Sequence, residues 1–299
     1  MTRSLTLRVP LLLSAALASL QLMLDRGERL DWFSSLEIVA WAVFAVLGLY
    51  LYIAHTLTHP KPFLDPRLLR DRNFALGLVL IFVFGMLNFT PMTMLPPLLQ
   101  GVAGYPDSVI GFVLGARGLG TMFGFGVMLY ASRLDPRGMI ALGFVLQALA
   151  GWQLFHLDPN LGVHDVFWPM ALQGFGVGLL WVPITMVTFA AITGEQMAEG
   201  TAVYHMLRNI GSSVHISLST VLAVRMTQHA HAELTPFASP YNDAMSLPWV
   251  RGDLDLNALQ AEIARQASMI GYLDSFWMFS LTALAVLPLV LLVRWRAKS

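Results

Sequence analysis

The sequence contains no cysteine, which excludes disulfides, zinc–thiolate centres and thiol nucleophiles. It is also poor in charge. Only 12% of its 299 residues are Asp, Glu, Lys or Arg, against about 25% in soluble domains. Eighteen basic residues balance eighteen acidic ones, so no net charge calls for a polyanionic partner, and nucleic acid is not expected. What the chain has instead is apolar surface: 56% of its residues are hydrophobic and the mean hydropathy is +0.64. That leaves too little polar surface to cover a water-soluble globule of this size. A soluble enzyme and a disordered chain are excluded, and the composition implies a polytopic protein in a lipid bilayer.

A spanning helix takes about 20 mostly apolar residues. Stretches free of Asp, Glu, Lys and Arg run over residues 9–24, 38–60, 73–106, 138–157, 166–194 and 275–293. Two more, 108–132 and 200–224, are interrupted only by Arg117 and Arg208. These eight runs are apolar on all sides and too long for membrane strands, so the expected fold is all-α with eight transmembrane helices. Pro96 and Pro97 are expected to end the third helix. Arg3 and Arg8 followed by an apolar run and Ala16-Leu17-Ala18 also fit a signal peptide, a second reading of the first span.

Alternate connections place Arg3, Arg8, Lys61, Arg67, Arg70, Arg72, Arg133, Arg137, Arg294, Arg296 and Lys298 on one side, against Arg26, Arg29, Arg251 and Arg265 on the other. By the excess of basic residues, both termini are expected in the cytoplasm. The long connection, about 227–270, then lies outside. Within it Leu256, Leu259, Ile263 and Ala267 recur at helical spacing, as in a short amphipathic helix on the membrane surface or a solvated loop helix.

Charges at membrane depth are the most informative feature, because they are costly and face a bundle interior or a watery cavity. Arg117 lies about 15 Å of helix beyond Asp107, and Arg208 about 12 Å beyond Gly200. No carboxylate sits at comparable depth. Asn88, Asn209, Gln147 and Gln173 are candidate partners, as are carboxylates on another polypeptide. The six residues Asn88, Arg117, Gln147, Gln173, Arg208 and Asn209 are therefore the candidate lining of a substrate cavity.

Glycines at short spacing let helices approach closely. Gly111, Gly115, Gly118, Gly120 and Gly124 in the fourth span, Gly174 and Gly178 in the sixth and Gly211 in the seventh are candidate packing positions. Pro91, Pro183 and Pro288 should kink their helices. His229 and His231 stand two apart, and positions i and i+2 do not share a helix face, so no metal site is expected. No catalytic grouping or phosphate loop is recognisable, so neither an enzyme nor a cofactor is expected.

Several stretches together resemble a known family. SLQLMLDRGERLDWFSS (residues 19–35) resembles the outer loop between the two extra central helices of fourteen-helix drug:proton antiporters, the EmrB/QacA-like group of the major facilitator superfamily. LPPLLQGVAGYP (95–106), GARGLGTM (115–122), SRLDPRG (132–138), QGFGVGLLWVP (173–183), RNIGSSVHIS (208–217) and QHAHAELTPF (228–237) resemble successive elements of that group's C-terminal bundle. His215 stands where the group has a small residue, and Ala131 where it has glycine.

The resemblance implies two central helices over residues 1–60, a cytoplasmic connection over 61–72 and a six-helix transporter bundle over 73–299. The family's N-terminal bundle, which carries its membrane carboxylates, has no counterpart here. The implied function is the C-terminal part of a multidrug efflux permease driven by proton antiport, in a bacterial inner membrane. The implied substrates are small amphipathic or cationic drugs. A separate N-terminal bundle and a periplasmic adaptor protein are the implied partners. Arg133, Asp135 and Arg137 would form the cytoplasmic charge cluster, or serve only as positive-inside anchors. The alternative function is a non-transporting membrane subunit or remnant that assembles with a separate N-terminal half.

Overall fold

Aspartates mark where several helices begin. The Asp71 carboxylate accepts from the Phe74 amide at 2.8 Å, that of Asp135 from the Arg137 amide at 2.9 Å, and that of Asp165 from the Gly162 amide at 2.8 Å. Each occupies donors that the first helical turn leaves without partners. These three acids thus sit at the starts of helices.

The structure is a computed structural model that describes residues 2–58, 66–131, 134–190, 192, 194–238 and 256–294. Its main elements are α1 (Thr2–Gly27), α2 (Leu36–Thr58), α3 (Arg72–Gly101), α4 (Asp107–Ala131), α5 (Pro136–Phe155), α6 (Val163–Thr188), α7 (Gly194–Leu234), α8 (Leu256–Ala285) and the short α9 (Leu287–Leu291). Among the described residues there is no strand.

The eight expected spans correspond to α1 through α8. By length and composition, α2 to α6 and the stretch from α8 into α9 are long and apolar enough to cross a membrane. The polar residues of α7 keep it below that threshold. It nevertheless lies against the other helices, packing along α3 and α8, while α1 packs on α2 and touches α7. At 41 residues α7 is about 61 Å long, twice the hydrocarbon thickness.

Three expectations are corrected. Pro96 and Pro97 do not end the third helix, because α3 runs through both to Gly101. The expected long connection is also shortened: α7 reaches Leu234 and α8 begins at Leu256. The amphipathic segment is therefore not a separate surface helix but the start of α8, where Ala267 is fully buried. Arg265 fixes that start, donating to the Pro159 carbonyl at 3.0 Å and pairing with Glu262 at 2.7 Å. Pro288, expected to kink the last helix, sits in the first turn of α9 just after the break at Val286.

Two ends can be told apart. At one, the Tyr105 hydroxyl donates to the Leu161 carbonyl beside Arg265. At the other, Asn73 exchanges two hydrogen bonds with the backbone of Arg294, at 2.7 and 3.1 Å. An apolar layer fills each half of the bundle. Phe74, Phe84, Phe144, Leu180 and Ile184 belong to the layer toward the Asn73 end, and Leu95, Leu98, Val113, Met170 and Phe276 to the layer toward the Tyr105 end. The α2 helix joins neither layer. Its Phe44, Val46 and Tyr50 are each more than 60% exposed, as suits a helix facing lipid.

Candidate functional site: two arginines at membrane depth

Between the two apolar layers lies a belt of polar side chains. Arg117 of α4 donates from Nε to Gln173 Oε1 at 2.8 Å, and from Nη2 to Asn88 Oδ1 at 2.6 Å and the Asn88 carbonyl at 3.0 Å. Gln173 of α6, fully buried, donates to Gln147 Oε1 at 3.2 Å. Gln147 of α5, also fully buried, donates back to the Gln173 carbonyl at 2.8 Å. Four of the six expected cavity residues therefore form one network, which ties α3, α4, α5 and α6 together at mid-depth. Carbonyl and amide oxygens take the place of a counter-ion, and hydrogen bonds to a charged donor are stronger than neutral ones.

Arg208 and Asn209 of α7 are not part of that network. Among the described residues Arg208 donates only to its neighbour Asn209, at 3.2 and 3.4 Å, and its guanidinium lies 5.3 Å from the centre of the Trp181 ring. This is cation–π distance. Asn209 is exposed and lines a groove of about 270 Å³ between α1 and α7, with Ser14, Gln21 and Ser213. Among the described residues neither arginine forms an ion pair.

Beside Arg208 opens a second cavity of about 560 Å³, lined by Trp181, Thr185, Met186, Phe189, Tyr204 and His205 among others. Its rings brace one another: Tyr204 meets Phe189 at 5.3 Å and Trp181 at 6.2 Å, and Phe84 backs Trp181 at 5.7 Å. Thr185 spends its hydroxyl proton on the Trp181 carbonyl at 2.8 Å, so the Tyr204 hydroxyl donates to Thr185 at 2.9 Å. The phenol is thereby held in place, and the indole rests against Phe84 and Tyr204. The result is an aromatic wall with a guanidinium at its rim, suited to an amphiphile that has a flat or flexible apolar body and an anionic group.

The glycines divide. A Cβ at Gly120 would overlap the Ala171 carbonyl, one at Gly174 the Arg117 carbonyl, and one at Gly211 the Phe82 carbonyl. Gly124 and Gly178 meet backbone to backbone. Gly111, Gly115 and Gly118 do not pack: nothing lies within 4 Å of a Cβ at any of them. They lie on an open side of α4 with the exposed Leu119 and Met122. Arg133 lies outside the described residues. Asp135 caps α5, and Arg137 follows it in the first turn. Among the described residues no three His, Asp or Glu side chains stand close enough to share a metal ion; His229 pairs with Glu233 at 3.6 Å.

The family model of the Major Facilitator Superfamily matches residues 10–215. The chain belongs to the Major Facilitator Superfamily. Within it, the chain is 31% identical over 296 residues to the multidrug export protein EmrB of Escherichia coli K12. It is 27% identical over 296 residues to the fatty acid resistance protein FarB of Neisseria gonorrhoeae. Each match covers 96% of this chain and 57% of the relative, so the chain spans little more than half the length of these curated relatives. The fold is similar to that of a bacterial homologue of the human lysosomal transporter Spinster, solved inward-facing and unoccupied. That match has a TM-score of 0.52 and 13% identity, and covers 87% of this chain and 60% of that one.

In this major facilitator chain the aromatic cavity escaped the sequence reading. Its signal was present: Trp181 and Thr185 on α6 and Phe189 just past its end recur every four residues, and Tyr204 and Arg208 do so on α7. In a chain with 18 Phe and 8 Trp such spacing is common and singles out nothing. A second signal was overlooked as well. Arg117-x-x-Gly120 on α4 and Arg208-x-x-Gly211 on α7 are the same motif, and each crosses a glycine-bearing partner helix in the same way.

Proposed function

We propose that this chain is the C-terminal portion of a proton-driven efflux permease of a bacterial inner membrane, working with a six-helix N-terminal bundle and, outside, a periplasmic adaptor protein. We read it as a transporter and not as an enzyme. In this reading the Asn73 end faces the cytoplasm, both termini lie there, residues 1–60 form the central helix pair and 73–299 the transport bundle. The coverage of only 57% of EmrB and FarB supports a partner bundle.

One observation carries the reading of the site: an aromatic cavity with Arg208 beside it, a cation that forms no ion pair among the described residues. A substrate arriving from the inner side would insert its apolar part between Trp181, Phe189 and Tyr204 and bring an anionic group to the guanidinium. Of the amphipathic and cationic drugs that the resemblance implies, a cationic one would meet a like charge there, so the arrangement favours weak acids and fatty-acid-like anions. The name of FarB, a fatty acid resistance protein, agrees with that preference. Alternating exposure of the site would come from rocking this bundle against its partner. The open Gly111–Gly115–Gly118 side of α4 is suited to close contact with that partner.

The test uses proteoliposomes with an imposed pH gradient, holding either this chain alone or this chain with a six-helix N-terminal bundle, and reads dansyl-undecanoate and ethidium. Proton-driven movement of the dansylated fatty acid only when both polypeptides are present is the expected result. Proton-driven transport by this chain alone, or a preference for ethidium, would overturn the reading.

A further inference from the structure

The two Arg-x-x-Gly helices diverge at one position. Seven residues beyond Arg117, α4 has Gly124, where a Cβ would lie 2.9 Å from the Cα of Gly178. Seven residues beyond Arg208, α7 has His215. Where one crossing brings backbone against backbone, the other inserts an imidazole that is 1% exposed. Its Nδ1 lies 2.8 Å from Thr90 Oγ1 of α3 and 3.3 Å from Ser219 Oγ of α7. Its Nε2 lies 3.3 Å from Thr282 Oγ1 of α8, and Phe279 closes the ring edge-on.

The hydroxyl protons decide what the ring has to supply. Thr90 Oγ1 donates to the Met86 carbonyl at 2.8 Å, and Thr282 Oγ1 to the Met278 carbonyl at 2.8 Å. A hydroxyl has a single proton, so both threonines turn lone pairs toward the imidazole. A neutral ring carries one N–H and satisfies one of them. An imidazolium carries two and satisfies both.

We propose that His215 is a proton-binding site inside the bundle, held between the hydroxyls of Thr90 and Thr282, which takes its proton from water and returns it to water as α3, α7 and α8 move apart and together. This deepens the transport reading and rests on it: it places a site for the coupling ion in this half of the molecule. No other ionisable group is hydrogen-bonded to the ring among the described residues. On α3, residues 73–101 contain none that is charged. On α7 the flanking ones are His205, Arg208 and Arg225, and on α8 Tyr272 and Asp274, eight or more residues before Thr282. The hydroxyl oxygens let the ring accept a proton; the missing carboxylate keeps it from being held permanently. A cation enclosed without water or counter-ion is costly, so the bound proton favours an arrangement that admits water to the ring.

The test is ring nitrogen-15 NMR of the full chain, labelled at histidine, in lipid nanodiscs across a pH series, with His215→Gln assigning the signal. The expected result is that His215 passes from one protonated nitrogen to two as pH falls, while helical circular dichroism is unchanged. Thr90→Val and Thr282→Val, which are near-isosteric, should each reduce its proton affinity about tenfold, the worth of one hydrogen bond to a charged group. A ring that stays neutral down to the pH where helix is lost overturns the proposal, as does a titration identical in all three proteins. If a valine variant fails to fold, the wild-type titration alone still decides. Loss of the transport reading with an intact titration, or transport with a neutral ring, separates the two failures.

Discussion

The crossing of α4 with α6 and that of α7 with α3 are built alike and used differently. In both, an arginine carbonyl lies against a partner glycine, Arg117 against Gly174 and Arg208 against Gly85, and a glycine three residues on lies against a partner carbonyl, that of Ala171 or Phe82. The backbones therefore fix the two guanidiniums at corresponding places. Their surroundings then part. Arg117 meets Asn88 and Gln173 and becomes a tie between helices, whereas Arg208 meets the face of Trp181 and keeps most of its donors for something else. The same residue at the same kind of crossing is structural where amides surround it, and available where rings do.

That contrast can be broken most sharply at Arg117. Arg117→Leu should cost about 3 kcal/mol, because it removes three charge-assisted hydrogen bonds and leaves buried amide oxygens unpaired. Equilibrium unfolding in mixed micelles reads the loss. Gly174→Ala should cost about 2 kcal/mol by driving a methyl into the Arg117 carbonyl, while Gly115→Ala, on the open side of α4, should leave the same unfolding curve unmoved; equal effects would erase the distinction between the two glycine faces. Gln147→Leu should cost about 1 kcal/mol, since hydrogen bonds between membrane helices are modest; thermal unfolding followed by circular dichroism checks it. Arg208→Leu should change stability by about 0.5 kcal/mol, the order of an exposed cation–π contact. A loss as large as that at Arg117 would make both arginines structural.

The sequence carried the helices well, because long runs without charge leave the backbone no alternative in lipid. Asn88, Arg117, Gln147 and Gln173 were legible as partners for a physical reason: a deep cation with no carboxylate must find amides. Asn209, grouped with them on the same reasoning, partners Arg208 and not Arg117, and lines the groove beside α1. Periodicity along one chain says how residues share a face, not which neighbour that face meets. The same limit hid the sidedness of α4, whose glycines looked alike and face two directions. Pro96 and Pro97 misled because their effect on the helix depends on how neighbours satisfy the freed carbonyls, which no local rule records. The divergence at Gly124 and His215 became meaningful only once the two crossings could be laid one upon the other.

The availability of Arg208 is the claim on which the functional account turns, and binding of dansyl-undecanoate to the chain in nanodiscs, followed by its fluorescence, tests it most directly. The account predicts about tenfold weaker binding for Arg208→Leu, the worth of one hydrogen bond to a charged group, with the stability of the variant intact. Unchanged affinity in that variant would contradict it.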